Sequence, residues 1–286
     1  MMNDNAILPD ATSLGAVALT IADLERALRF YQENMGMDYL GEAGGAHLLG
    51  AGGVPLLRLF HQPDAPAPPP RASGLYHYAL LLPSRRDLAT ILWRLAAHNT
   101  SFQGFSDHLV SEAIYLADPE GNGIELYRDR PRAEWEYRGG TLQMSTLPLD
   151  TDDLLAEATA PAEKMAAGTT MGHVHLQVGD LNRAEQFYQD VVGFEMVMRY
   201  GPSAAFLSAG GYHHHVGLNT WAGVGAPQPA PGSRGLRWLE VQLPGSDALD
   251  ALLGRARSAG HAVAEDGGAY LIAEPAGAQL RLSLQP

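Results

Sequence analysis

The sequence predicts an α+β protein made of four copies of one βαβββ unit, and three observations carry that prediction. The first is an internal repeat. Leu14–Met37 reads LGAVALTIADLERALRFYQENMGM, and Met171–Phe194 reads MGHVHLQVGDLNRAEQFYQDVVGF. The second is that two more diverged segments repeat the same order of strand, helix and strands. The third is that a Pro/Ala-rich stretch, Gln62–Pro70, and a Pro/Gly-rich stretch, Gly223–Gly232, fall where neighbouring copies would join. Repeats are read first, because an overlooked one mis-assigns the whole fold.

In each of the two closest copies an alternating strand leads to Asp-Leu and then to a helix that ends in Phe-Tyr. Asp23 and Asp180 stand at the N-cap, where a carboxylate accepts from free backbone N–H groups. Leu24, Leu28 and Tyr31 form one face of the first helix; Leu181, Ala184, Phe187 and Tyr188 form the matching face of the second. Gly36 and Gly193 stop the helices. Three strands follow in each copy, near Asp38–Gly41, Ala46–Leu49 and Val54–Phe60, and near Glu195–Tyr200, Ala204–Ser208 and His213–Asn219. Gly-Gly pairs at 52–53 and 210–211 read as tight turns. The diverged copies show strands at Leu75–Leu82, Glu112–Leu116 and Gly123–Tyr127 around a helix at Arg86–His98. They show them again at Leu236–Leu243, Ala269–Ala273 and Gln279–Leu284 around a helix at Ala248–Ala259. The repeats therefore run near 13–61, 73–130, 170–222 and 234–286. They divide into an N-terminal domain over 13–130, a connector over 131–169 and a C-terminal domain over 170–286. The connector is long for a compact protein and predicts a short helix, Asp152–Thr159, and a place against the site or the subunit interface.

Composition narrows the function. The 286 residues contain no cysteine, which excludes disulfides, thiolate metal sites and cysteine nucleophiles and is compatible with the cytoplasm. No apolar run approaches the length of a membrane span, and Met1–Asp10 lacks the basic and apolar parts of a signal peptide. A formal net charge of -13 argues against nucleic acid or anionic lipid as partner. Any metal must be held by His, Asp or Glu.

Those residues are unevenly placed. His77 opens the first strand of the second repeat and His173 that of the third; the repeat register makes them equivalent. Ala16 and Trp238 take the same place in the first and fourth repeats. Glu125 lies on the last strand of the second repeat, Arg281 replaces it in the fourth, and His215 sits near it in the third. A first-strand His and a last-strand Glu can face one side of a sheet, because side chains alternate along strands. A carboxylate inside the apolar run Gly-Ile-Glu-Leu-Tyr needs a partner or a metal. Two imidazoles and one carboxylate leave open positions on a metal, which suits non-heme Fe(II) or Mn(II) oxygen chemistry. Alternation predicts His213 and His215 on one face of their strand and His214 on the other. His175 shares the face of His173 and would back the site. Phe206, Asn219 and Trp221 are candidates for its lining. His47, His61, His98 and His261 read as surface or loop residues.

Asp-Pro-Glu-Gly-Asn-Gly-Ile-Glu-Leu-Tyr over 118–127 resembles the last-strand signature of the vicinal-oxygen-chelate superfamily. That superfamily includes glyoxalase I, bleomycin- and fosfomycin-resistance proteins and extradiol dioxygenases. Gly74-Leu75-Tyr76-His77, the run from Asp107 to Tyr115, Asp129-Arg130-Pro131-Arg132 and the run from Ser208 to Asn219 are similar to its bacillus-type catechol 2,3-dioxygenase branch, over nearly the whole chain. The resemblance implies two barrel-like modules of paired βαβββ units and ring cleavage of a small aromatic diol by O2. It implies His77, Glu125 and His173 as ligands of Fe(II), or of Mn(II), and His215 as the acid–base residue. Tyr115 would bond the substrate oxygen, with His108 as a second pocket residue. It also implies a homo-oligomer.

In the well-known extradiol enzymes the catalytic units are the last two; here they are the middle two. The second repeat is therefore expected to pack with the third and the first with the fourth, or else the second and third meet across a dimer. Glyoxalase-type lyase or isomerase chemistry is an alternative, with His215 as a fourth ligand. Cleavage of a hydroquinone and metal-free binding of a small molecule are the others.

Overall fold

The computed structural model describes residues 7–286, so the first six residues of the stretch read for a signal peptide lie outside the described part. The chain runs through four βαβββ repeats. The first holds β1 (Ser13–Ile21), α1 (Leu24–Arg29), β2 (Asp38–Ala43), β3 (Ala46–Ala51) and β4 (Val54–His61). The second holds β5 (Gly74–Leu81), α2 (Arg85–Ala97), β6 (Phe102–Asp107), β7 (Ser111–Ala117) and β8 (Gly123–Asp129). The connector carries β9 (Tyr137–Arg138), β10 (Thr141–Leu142), β11 (Leu147–Pro148) and α3 (Thr151–Ala156). The third repeat holds β12 (Thr170–Gln177), α4 (Leu181–Gln186), β13 (Glu195–Tyr200), β14 (Ala204–Ser208) and β15 (Val216–Asn219). The fourth holds β16 (Gly235–Leu243), α5 (Ser246–Ser258), β17 (Val263–Asp266), β18 (Ala269–Ala273) and β19 (Gln279–Leu284).

Two compact units emerge from the contacts. One comprises the described residues up to Val17, Pro66–Tyr76 and His173–Pro286; the other comprises Ala18–Ala65 and His77–Gly172. In the first the strands neighbour one another in the orders β17-β18-β19-β16-β1 and β5-β12-β15-β14-β13. In the second the orders are β1-β4-β3-β2 and β11-β6-β7-β8-β5. Strands β5 and β12 are neighbours in one sheet order, and β1 and β16 in the other.

Within the last three repeats the last strand runs parallel to the first and directly beside it: β8 with β5, β15 with β12, β19 with β16. This is what brings a first-strand histidine near a last-strand carboxylate. Asp23 and Asp180 cap their helices, accepting from Arg26 N at 3.0 Å and Arg183 N at 3.1 Å. Each helix then widens into a π turn, Phe30–Asn34 and Phe187–Val192, that carries the Phe-Tyr pair. Tyr31 and Tyr188 become fully buried. The Tyr31 hydroxyl donates to Asp118 Oδ2 at 2.8 Å, and the Tyr188 hydroxyl to Glu274 Oε2 at 3.4 Å.

Each of these carboxylates also gathers backbone N–H groups of the turn that enters the last strand. Asp118 accepts from Glu120 and Asn122, and Glu274 from Ala276 and Ala278, all at 2.9 Å. Burial pushes both carboxyl pKa values up, against the hydrogen bonds that pull them down. The Asp118 turn is the one that launches β8.

Three sequence expectations are corrected here. Strands β6 and β17 have no counterpart in the sequence reading: Phe102–Asp107 is short, half-buried and broken by polar residues and a glycine, and Val263–Asp266 is short and mostly exposed, so neither gives an apolar run. The connector helix starts and stops earlier, at Thr151–Ala156, with Asp150 as its cap. The last strand of the third repeat begins only at Val216, so His213–His215 form an irregular approach to it and strand alternation does not govern them.

Candidate metal centre

Glu125 sits on β8 with Ala79 of β5 as its lateral partner on one side and Tyr115 of β7 on the other. His77 lies two residues before Ala79 and so projects on the same face. The small Ala79 leaves the glutamate room. His77 Nε2 and Glu125 Oε2 are 3.0 Å apart. Tyr115 packs against His77 with ring centroids 5.5 Å apart. One ligand atom from each of His77, Glu125 and His173 lies within 4.8 Å of the others, and all three residues are buried. Two imidazoles and a carboxylate at this spacing are a donor set for a divalent transition-metal ion, and the burial fits a charge that needs neutralising. The three predicted ligands are therefore brought together as a three-residue metal-binding site. Tyr127, two residues beyond Glu125, explains a glycine next to the site: a Cβ on Gly172 would fall 1.7 Å from the Tyr127 hydroxyl.

The other predicted residues are placed as follows. His108 lies in the β6–β7 hairpin, next to Leu109 in a left-handed conformation. Its Nδ1 is 2.7 Å from the Ser145 carbonyl and its Nε2 is 2.7 Å from the Tyr115 hydroxyl. A carbonyl can only accept, so Nδ1 carries the proton and Nε2 accepts from Tyr115. Ser145 belongs to the connector, which thereby reaches the site. Sequence reasoning gave the connector such a place but could not name a residue whose backbone does the work.

His215 is buried. Its Nδ1 accepts from Ala209 N at 3.2 Å, and its ring stacks on Phe194 and Tyr212. Its main chain joins both neighbouring strands, through Leu207 O and to Val174 N. The ring that packs against His173 is that of His214, with centroids 4.0 Å apart; that of His213 lies at 6.0 Å. The two Nδ1 atoms of His213 and His214 are 2.8 Å apart. The sequence named the run, but alternation could not single out His214 because the run precedes the strand.

The register also shows what the other repeats put in the glutamate position. In the third repeat it is Gly217, opposite His175. A Cβ there would lie 2.8 Å from His175 Cγ, so the glycine makes room for that ring. In the fourth repeat it is Arg281, opposite Glu240. Arg281 forms an ion pair with Glu240, bonds Asp266 at 3.1 Å and lies over Trp238, the residue in the histidine position. Arg281 and Trp238 thus stand where the second repeat has Glu125 and His77, and Glu240 stands where it has Ala79.

A fold of βαβββ repeats and a buried His/His/Glu site define a metal-binding protein of glyoxalase architecture. The chain belongs to the Glyoxalase/Bleomycin resistance protein/Dioxygenase superfamily, whose model matches residues 13–126 and 170–280. It is 44% identical over 269 residues to the catechol-2,3-dioxygenase of Bacillus subtilis (strain 168), covering 92% of this chain and 94% of that one. Its fold is shared with the crystal structure of glyoxalase I from Zea mays at a TM-score of 0.57 and 14% identity, over 96% and 92% of the two chains. It is shared as well with the cppA protein of Streptococcus pneumoniae TIGR4, at 0.56 and 13% identity, over 99% and 100%. Among the described residues no helix is long and apolar enough to cross a membrane.

Proposed function

We propose that this protein is a metal-dependent extradiol dioxygenase that opens the ring of a catechol or substituted catechol with O2. The observation that carries the reading is the buried His77/Glu125/His173 set. The likeness to a catechol-2,3-dioxygenase over 92% of the chain supports it. The three ligands would hold Fe(II), or Mn(II) in its place. When bound, the metal supplies Lewis acidity and one-electron redox capacity, and the ligand set leaves it one net positive charge to favour a diol anion.

The chain's own residues then divide the work. Tyr115 holds a diol oxygen through its hydroxyl, beside His77. His108 can take the Tyr115 proton at Nε2, and the Ser145 carbonyl stabilises the resulting imidazolium through Nδ1–H. His214 is the residue placed to carry a proton near His173, in the role that the sequence resemblance gave to His215. Its hydrogen bond with His213 has two tautomeric arrangements. In one His214 Nε2–H can donate a hydrogen bond; in the other Nε2 is bare and can take a proton, which the resulting imidazolium can later return as an acid. His215 holds the loop, through Ala209 and its stacking on Phe194.

The test is reconstitution with Fe(II) or Mn(II) without O2, then catechol and air, watching for a yellow ring-opened semialdehyde. Bound metal without product from catechols would sink the reading. His214, close to His173, would then be examined as a fourth ligand of a glyoxalase-type lyase or isomerase, or a hydroquinone would be tried as substrate.

A further inference from the structure

We propose that Tyr76 and Trp221 form a specificity wall that receives an apolar substituent on the aromatic ring of the substrate. The inference rests on the ring-cleavage reading and names the substrate class within it.

An unbroken line of ring contacts leads outward from the ligand His173. His214 packs on His173, and Phe206 meets His214 edge-on at 5.0 Å. His175 meets Phe206 at 5.7 Å and Trp221 at 5.4 Å. Tyr76 stands edge-on to both His175 and Trp221, at 5.3 and 5.2 Å. The inner end is buried, with His173 at 2% and His175 at 4% exposure. The outer end is open: Tyr76 is 40% and Trp221 50% exposed. Single exposed aromatic residues are ordinary, but two in mutual contact at the end of such a line make a patch that a ligand can cover.

The arrangement is built rather than incidental. Gly217 takes the position that holds a glutamate in the second repeat, and its missing Cβ admits the His175 ring. The chain at Trp221 is pinned where its N–H donates to Asn219 Oδ1 at 2.9 Å, and Asn219 is fully buried. The wall offers the flat faces of two aromatic rings in edge-to-face contact. It therefore suits an aryl or alkyl substituent, which gains by burial and edge-to-face contact, and neither ring carries a charge that would pair with a carboxylate.

The test is calorimetric titration of the Fe(II)-loaded protein without O2, using catechol, 3-phenylcatechol and 3,4-dihydroxybenzoate. 3-Phenylcatechol is expected to bind about tenfold tighter than catechol, and 3,4-dihydroxybenzoate no tighter than catechol. W221A and Y76A should each lose most of the phenyl advantage while the Kd for catechol stays within about twofold; both sites are exposed, so the fold should survive. G217A, which displaces His175, should show the same loss. If W221A and Y76A bind 3-phenylcatechol as tightly as the wild type, the wall is wrong and the function reading stands. If none of the diols binds the loaded wild-type protein, both fall.

Discussion

His77 Nε2 and Glu125 Oε2 lie 3.0 Å apart on parallel neighbouring strands, with both side chains buried. A buried carboxylate of this kind is kept for a charge that it must meet. Glu125→Gln keeps the shape and removes that charge. It is expected to lower Fe(II) affinity by at least about a hundredfold, since even residues that only support ligands cost 10–100-fold. The wild-type protein should gain about 2.7 kcal/mol of stability at a metal concentration a hundred times Kd, seen as a rise in Tm, and the variant should gain no more than about 0.4 kcal/mol at that concentration. A variant that keeps both metal and Tm rise would remove Glu125 from the ligand set.

The choice between His214 and His215 is open to a direct comparison. His214→Phe should leave Fe(II) binding intact and lower kcat by roughly 10²–10⁴, the usual worth of a positioned acid–base group. His215→Phe should act chiefly on stability, because its Nδ1 accepts from Ala209 N and its ring stacks on Phe194. If His215→Phe loses turnover at unchanged Tm while His214→Phe keeps it, the assignment is reversed.

The fold was legible because its unit is repeated: Asp-Leu caps, Phe-Tyr pairs and stopping glycines recur at matching places, and each has a local physical cause. The ligands were legible for the same reason, since an exception to a repeat is visible as Ala16 and Trp238 against His77 and His173. What escaped depended on contacts distant in sequence or on backbone atoms. The Ser145 carbonyl has no side-chain signature. Strands β6 and β17 have too little apolar content to show. The contact of His214 with His173 was not legible because alternation was extended three residues beyond where strand geometry holds.

Glu274 gives the protein a pH-dependent component that can be isolated. Burial raises its folded pKa above the ordinary value of 4.5. The native state therefore holds a proton where the unfolded chain has released it. The contribution is complete below the unfolded pKa and is lost as pH rises through the raised one. Glu274→Gln removes this component, so the stability difference, wild type minus variant, should shrink between pH 4.5 and neutrality. Urea midpoints at several pH values measure it, and a difference that grows with pH would contradict the sign. The hydrogen bonds from Ala276, Ala278 and Tyr188 favour the ionised carboxylate, so they narrow this pH window without reversing its sign.

In the fourth repeat Arg281 occupies the position of Glu125 and pairs with Glu240, and this makes a last prediction about stability. Arg281 and Glu240 are largely enclosed, at 15% and 7% side-chain exposure. Glu240 also accepts from Ala16 N at 3.2 Å and Ser283 Oγ at 3.0 Å, so it ties β1, β16 and β19 together. Arg281→Met leaves the Glu240 charge buried without its main partner and should cost about 3 kcal/mol or more. Removing both charges, as Glu240→Met with Arg281→Met, should cost much less, because a buried pair roughly balances its own desolvation. Denaturant unfolding of the two singles and the double forms a cycle, and the interaction energy is its readout. Metal affinity should be the same in all four proteins, since the ligands lie in the second and third repeats. If the double variant is as unstable as the single, the pair acts through packing on Trp238 rather than through charge.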